Sequence, residues 1–396
     1  MPSAFPYDRL RRRPDVEAEN LQAHDATDLQ LVARALDSGL PGEEIAVIGD
    51  EYGAITLALT HAGLSGVRVH QDLATGRRAL ALNAADLGLA GFVSHELDAG
   101  LVAGARLVLL QLPKALAELE EIADAVARWG AADAVLVAGG RVKHMTLAQN
   151  EVLARSFGAV QPQRAERKSR LLVATEPLPA PATPPYPVTA RHDGLVLVAH
   201  GGAFAGARID IGTRVLLDVL AVRGAQLLPP PRDTGGSGPN GSGPADSGGV
   251  VNAETVVDLG CGTGALAVSY ALAHPGARVV ATDRSAAAVV SARATVEAND
   301  VADRVEVTHD DAGSELPGAS ADVVLLNPPF HLGTSVHTGA ATRMFEAAAR
   351  LLRPGGELWT VYNSALGYRA ELTRLVGETE QVRRTPKFTV TRSIRR

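Results

Sequence analysis

Two short stretches of the second half, Asp258-Leu259-Gly260-Cys261-Gly262-Thr263-Gly264 and Asn327-Pro328-Pro329-Phe330, hold the residues whose types and spacing could do chemistry. The first reads as a buried strand that breaks into a glycine turn and opens a helix at Ala265, so that backbone N–H groups at the helix start face a ligand. Glycines let the backbone approach that ligand closely, and Asp283 ends the next apolar run, where a carboxylate can hold ribose hydroxyls. This much fits a dinucleotide as well as any other adenosine-bearing cofactor. The second stretch narrows the choice. Asp322 to Leu326 reads as an inner parallel strand whose C-terminal end meets the crevice. Two prolines fix two φ angles, and Pro328 keeps Asn327 out of the helical region. The Asn327 side-chain oxygen and a backbone carbonyl can then accept the two hydrogens of an exocyclic amine, while Phe330 stacks on the ring that carries it. The plain alternative is a strand-ending turn, which Asn-Pro pairs often make.

With Arg353-Pro354-Gly355-Gly356-Glu357-Leu358 and the stretch from Gly202 to Arg214, these motifs make the segment from about Gly202 to the C-terminus resemble the bacterial ribosomal RNA guanine-N2 methyltransferases of the RsmC and RlmG kind. The resemblance implies a class I methyltransferase fold and S-adenosylmethionine as cofactor. It implies that Asp258, Gly260, Cys261, Gly262, Gly264 and Asp283 surround the adenosine, that Asp310 (or Asp311) lies near the adenine amine, and that Phe204 and Gly212 belong to a segment covering the methionine end. Asn327, Pro328, Pro329 and Phe330 would then be the catalytic set, acting on the exocyclic amine of guanine in ribosomal RNA or a ribosomal subunit. Asn-Pro-Pro-aromatic is common to amino-group methyltransferases, so an adenine, a protein glutamine or a small molecule stands as an alternative acceptor. A non-catalytic RNA-binding or ribosome-assembly factor is the alternative of another class.

The first half repeats the pattern. Ile48-Gly49-Asp50-Glu51-Tyr52-Gly53-Ala54-Ile55 superposes on Leu259 to Leu266, and Asp72 then falls on Asp283. Leu109-Leu110-Gln111-Leu112-Pro113-Lys114 superposes on Leu325 to Phe330, so Gln111 matches Asn327. In this copy Asp258 is matched by Val47, Gly262 by Glu51 and Phe330 by Lys114. A glutamate where backbone must approach a ligand crowds and repels it. The expected architecture is α/β, two tandem Rossmann-like methyltransferase domains with the N-terminal one degenerate and serving stability or RNA recognition. This layout also resembles the RsmC and RlmG kind, and Leu112-Pro113-Lys114 and Val142-Lys143-His144-Met145 look RlmG-like in particular.

The elements that must hold these residues fall into three parts. Residues 1–175 form the first domain, opening with an arm bearing Arg9, Arg11, Arg12 and Arg13 that reads as a solvated basic segment. An amphipathic helix follows from Asp25 to Gly39. Residues 176–190 form a proline-rich linker. Residues 191–396 form the catalytic domain, with a Gly, Pro and Ser-rich insertion at 229–249 that cannot bury enough to order itself. Basic clusters at Arg164, Arg167, Lys168 and Arg170, and at Arg383, Arg384, Lys387, Arg392, Arg395 and Arg396, are candidate RNA contacts.

At 396 residues and 46% apolar content the chain can bury two cores. A net charge of −6 argues against a diffuse nucleic-acid binder. Cys261 is the only cysteine, which excludes an internal disulfide. No metal set emerges, and neither a membrane-length apolar run nor an export signal is seen. The expectation is a cytoplasmic protein, in all a monomer.

Overall fold

The computed structural model describes residues 4–227, 253–329 and 335–396. The insertion expected at 229–249 lies outside them, as do Phe330 and His331.

In the first domain the strands are β1 (Ile45–Ile48), β2 (Val67–His70), β3 (Phe92–Ser94), β4 (Leu107–Gln111), β5 (Val135–Arg141), β6 (Phe157–Pro162) and β7 (Ser169–Pro177). Helices α1 (Ala26–Ser38), α2 (Ala54–His61), α3 (Ala74–Leu87), α4 (Ala99–Val102), α5 (Leu116–Trp129) and α6 (Leu147–Leu153) connect and cover them. They form one sheet in the order β3-β2-β1-β4-β5-β7-β6, parallel except for β7, which runs antiparallel to both its neighbours. Asp25 caps α1 and Gly39 ends it in the left-handed region. The arginines of the basic arm are largely exposed, as expected, but the arm is also anchored to the domain. Leu10 is buried, the Arg11 amide donates to Asn83 Oδ1, and Arg9 and Arg13 both reach Asp86.

The second domain begins with the hairpin β8 (Val188–His192) and β9 (Leu195–Ala199), then α7 (Ile211–Leu227). Its sheet contains β10 (Thr255–Leu259), β11 (Arg278–Asp283), β12 (Val305–His309), β13 (Ala321–Leu326), β14 (Leu352–Asn363), β15 (Thr379–Arg384) and β16 (Phe388–Ile394). The order is β12-β11-β10-β13-β14-β16-β15, the same topology as the first sheet. Helices α8 (Ala265–Ala273), α9 (Ala286–Ala298), α10 (Ser335–Leu351) and α11 (Arg369–Leu375) complete it. Inner strands are apolar on both faces because both are covered. Val256 thus joins the core beneath α8 and α9, whereas Val257 joins the one beneath α10. The hairpin edge is satisfied by side chains of α9. Ser291, Thr295 and Asn299, four apart along one helix face, accept the amides of His200, Val198 and Val196.

In both sheets the strand order reverses between the first strand and its neighbour, which opens a crevice at the carboxyl ends. The domains meet through equivalent parts. Around an antiparallel bridge between Leu73 and Ser285, the Ala74 amide donates to the Arg284 carbonyl and the Ala286 amide to the Asp72 carbonyl. The Asp72 carboxylate accepts the Ala287 amide at 2.9 Å and the Ser285 hydroxyl at 3.1 Å. Asp72 therefore ties down the start of a helix in the other domain, but it is not the counterpart of Asp283 that the spacing predicts. Gly49 donates to the His70 carbonyl as Gly260 does to that of Thr282, and Gln71 Oε1 accepts the Leu73 amide as Asp283 Oδ1 accepts that of Ser285, so Gln71 stands at the place of Asp283. Glu121 makes a further tie, accepting the Gly201 amide and pairing with His200.

Candidate active site

The glycine turn is built from the strand outward. Gly260, Gly262 and Gly264 all lie in the left-handed region, at φ of 78°, 55° and 80°. The amides of Gly260 and Cys261 donate to the Thr282 carbonyl, pinning the turn to β11. A Cβ at Gly262 would meet no atom within 4 Å, so the turn faces open space there. The Gly262 amide donates to Asp283 Oδ2 and the Ser285 amide to Oδ1, both at 2.9 Å. Each Asp283 oxygen keeps a lone pair.

Three expected contacts are displaced from the cavity. Asp258 is fully buried beneath the turn, where Oδ2 accepts the Ala267 amide and Oδ1 has no partner among the described residues. Burial pushes its carboxyl up to about 7. It anchors the first turn of α8 rather than lining the cavity. Gly264 caps that helix, and Gly212 donates its amide to Asp210 Oδ2. Their glycine character serves helix starts and packing.

A cavity of about 510 Å³ lies at the crevice, walled by Gly260, Cys261, Gly262, Asp283, Asp310, Asn327, Pro328 and Pro329, with Phe204 at its edge. Phe204 is 66% exposed, which makes it a rim residue. Cys261 is buried, and burial pushes its thiol well above the usual range.

Asn327 is held from one side. Its Nδ2 donates to Thr213 Oγ1 at 2.9 Å and to Asp210 Oδ2 at 3.2 Å, the N3 and N-cap positions of α7. Those acceptors fix which way the amide points, and Oδ1 is left without a partner among the described residues. A buried acceptor with no donor is costly unless a ligand supplies one. Pro328 has no N–H, so the chain cannot continue pairing past Asn327.

Asp310 is 2% exposed and carries three donors. Oδ1 accepts from Ser314 Oγ and from Arg78 Nη2, each at 2.6 Å, and Oδ2 accepts the Glu315 amide at 2.8 Å. Burial would raise this carboxyl, but the Glu315 amide, the Ser314 hydroxyl and the Arg78 guanidinium outweigh it and hold Asp310 below its ordinary value. Asp311 also lines the cavity.

Sequence reasoning missed Thr213 and three arginines of the wall, Arg208, Arg284 and Arg343. Thr213 could have been found from Asp210, since a residue three beyond an N-cap shares its face. The C-terminal basic cluster is partly consumed by the fold: Arg392 pairs with Glu357 and Glu380, Arg383 with Asp218, and Arg396 donates to the Thr373 carbonyl. The basic run at Arg164 lies on the turn between β6 and β7.

The first domain has a cavity of about 550 Å³ at the same edge, but it is furnished differently. Gln111 Nε2 donates to Asp28, which sits three residues beyond the cap Asp25 as Thr213 does beyond Asp210. Burial, with Asp50 next, pushes the Asp28 carboxyl up to about 8. Asp50 accepts the amides of Ile55 and Thr56. Arg12 of the N-terminal arm lies over the Tyr52 ring, 4.7 Å from its centre, and Lys114 also lines this space.

Known proteins were compared with this chain. The family model described as RLMG N-terminal domain matches residues 3–178, and the one described as methyltransferase small domain matches residues 249–392. A protein of Ectopseudomonas mendocina named ribosomal RNA large subunit methyltransferase G is 36% identical over 96% of each chain. One of the same name from Streptomyces avermitilis is 34% identical over 98% of this chain and 97% of its own. Among solved structures, the T. thermophilus 16S rRNA N2 G1207 methyltransferase RsmC, in complex with AdoMet and guanosine, superposes with a TM-score of 0.71. It is 23% identical and covers 94% of this chain and 92% of its own, a likeness of fold.

Proposed function

Because the chain belongs to the ribosomal RNA large subunit methyltransferase G family, we propose that its second domain methylates the exocyclic N2 amine of a guanine in large-subunit ribosomal RNA. The observation that carries this reading is Asn327, whose Nδ2 is locked by Thr213 and Asp210 while Oδ1 has no partner among the described residues. An acceptor so prepared suits an N–H donor. When bound, S-adenosylmethionine supplies an electrophilic methyl group on a sulfonium, an excellent leaving group. The site suits this cofactor through the open space beside Gly262 and the spare lone pairs of Asp283, which fit ribose hydroxyls. Asp310 serves the adenine amine.

The residues of the chain then position the acceptor. Asn327 Oδ1 and the Pro328 carbonyl take the two hydrogens of the guanine amine, which aims the nitrogen lone pair out of the amine plane. Phe330, next in the motif, is assigned the stacking face. Arg208, Arg284 and Arg343 supply positive charge where a flipped nucleotide's phosphates enter. No strong base is required, so orientation supplies most of the rate. Such a substrate sets the work in the cytoplasm, and among the described residues no helix is long and apolar enough to cross a membrane.

Methyl incorporation from labelled S-adenosylmethionine into separated ribosomal subunits, rRNA and tRNA, followed by nucleoside analysis, tests the reading. N2-methylguanosine in 23S rRNA is the expected result. Cofactor binding without incorporation into any RNA would overturn it in favour of a protein or small-molecule acceptor.

A further inference from the structure

The adenine side of the cavity wall is completed by the other domain. Arg78 lies on α3 of the first domain, one helical turn beyond Ala74, whose amide donates to the Arg284 carbonyl. That contact seats α3 against the segment that also carries Asp283. From there the guanidinium grips three groups at once. Nη2 donates to Asp310 Oδ1 and to Glu315 Oε1, both at 2.6 Å, and Nη1 donates to Ser314 Oγ at 2.9 Å. Ser314 in turn donates to the same Asp310 oxygen. Arg78 thus fixes Asp310 directly and through the hydroxyl beside it.

We propose that Arg78 is a positioning residue for cofactor recognition, fixing the Asp310 carboxylate as the acceptor for the exocyclic amine of adenine. This rests on the cofactor assignment made above. A carboxylate can only accept, so it favours an amino group over a keto group at that place. Arg78 joins the Glu315 amide and the Ser314 hydroxyl in offsetting burial, so losing it shifts a carboxyl 2% exposed toward its neutral form, which can donate to a keto oxygen instead. Arg78 therefore sets which base the pocket prefers, from a domain that binds no cofactor itself.

The test is calorimetric titration of the full chain with S-adenosylhomocysteine and with its deaminated hypoxanthine analogue. Wild type should favour the adenine compound by about 10-fold or more. Arg78→Met, which keeps the aliphatic stem, should lower that ratio about 10-fold, and Arg78→Lys should restore part of it. Glu121→Gln, which alters another tie between the domains, should keep the wild-type ratio, so a general loosening of the interface cannot mimic the effect. An unchanged ratio in Arg78→Met overturns the proposal, as does a wild type that binds both compounds equally. If Arg78→Met does not fold, Arg78→Lys decides, by a ratio below wild type or equal to it. A wild type that binds neither compound would instead overturn the cofactor assignment.

Discussion

Both domains tie the first turn of the helix after the glycine turn to a buried carboxylate, but they draw it from different places. In the second domain Asp258, within β10, accepts the Ala267 amide. In the first, Val47 stands at that place, and Asp50 reaches the equivalent amide, that of Thr56, from inside the turn. The anchor was relocated, not lost. What differs is the furnishing of a cavity of similar size: Glu51 replaces the glycine beside which the second turn is open, and Arg12 and Lys114 line the first-domain space. The acceptor ends differ in the same sense. Leu112 donates its amide to the Gly139 carbonyl and continues the sheet, whereas Pro328 cannot. A helix N-terminus must be satisfied in any folded protein, whereas an acceptor at a crevice edge can be left for a ligand to complete.

Transplanting residues between the copies breaks the comparison at chosen points. The largest effect is expected from Gly262→Glu, which installs Glu51 of the first copy. Cofactor affinity should fall at least ~100-fold in a binding titration, because an uncompensated carboxylate enters the adenosine space. The chain should stay folded, since a Cβ there meets no described atom within 4 Å and the left-handed φ of 55° costs a glutamate about 1 kcal/mol. Next comes Asn327→Gln, the Gln111 state. A longer amide moves the acceptor by about 1 Å, so single-turnover methyl transfer should slow ~100-fold with cofactor affinity nearly unchanged. Equal loss of both would show that Asn327 belongs to the cofactor site instead.

A third experiment sharpens the comparison of anchors. Asp258 has an ordinary value of 3.8 and is pushed by burial to about 7. Between these values the native state holds a proton that the unfolded chain has released, so wild-type stability falls as pH rises from about 4 to about 7 and levels off above. Asp258→Asn cannot titrate and should lose that slope, on the order of 2 kcal/mol by denaturant titration across this range. Retention of the full slope would place its origin at other buried acids such as Asp28 or Asp50. The smallest effect is expected from Asp72→Ala. Removing the carboxylate that serves Ala287 should cost ~1 kcal/mol of second-domain stability by thermal melting. No change would mean that water replaces it fully.

The duplication was legible because a glycine turn, the end of the next apolar run and a Gln111 or Asn327 strand end recur in the same order, and the two strand orders agree with it. The spacing alone set Asp72 on Asp283, one residue off, because the first copy is one residue shorter before the second strand ends. Gly260, Gly262, Asp283 and Asn327 were legible because each has a type and a place in a pattern. Asp258 belonged to the pattern too, but sequence cannot tell an acid that touches a ligand from one that supports the turn beneath it. The strand β15 went unread: Thr379–Arg384 is an edge strand, mostly exposed, with no apolar run to mark it. Arg78 had no signal at all, since its partner Asp310 lies 232 residues away and only the packing of two domains brings them together.

The bonds joining residues 72–74 to 284–286 map onto themselves when each residue is exchanged for its structural counterpart in the repeat, Asp72 for Arg284, Leu73 for Ser285 and Ala74 for Ala286: Ala74 with Arg284 becomes Ala286 with Asp72. A contact with that property is isologous, the kind made by two identical subunits about a two-fold axis. The chain thus carries the symmetry of a closed dimer within one polypeptide, joined end to end so that each half could specialise separately. Cut apart, either half would present a self-complementary edge to a second copy of itself.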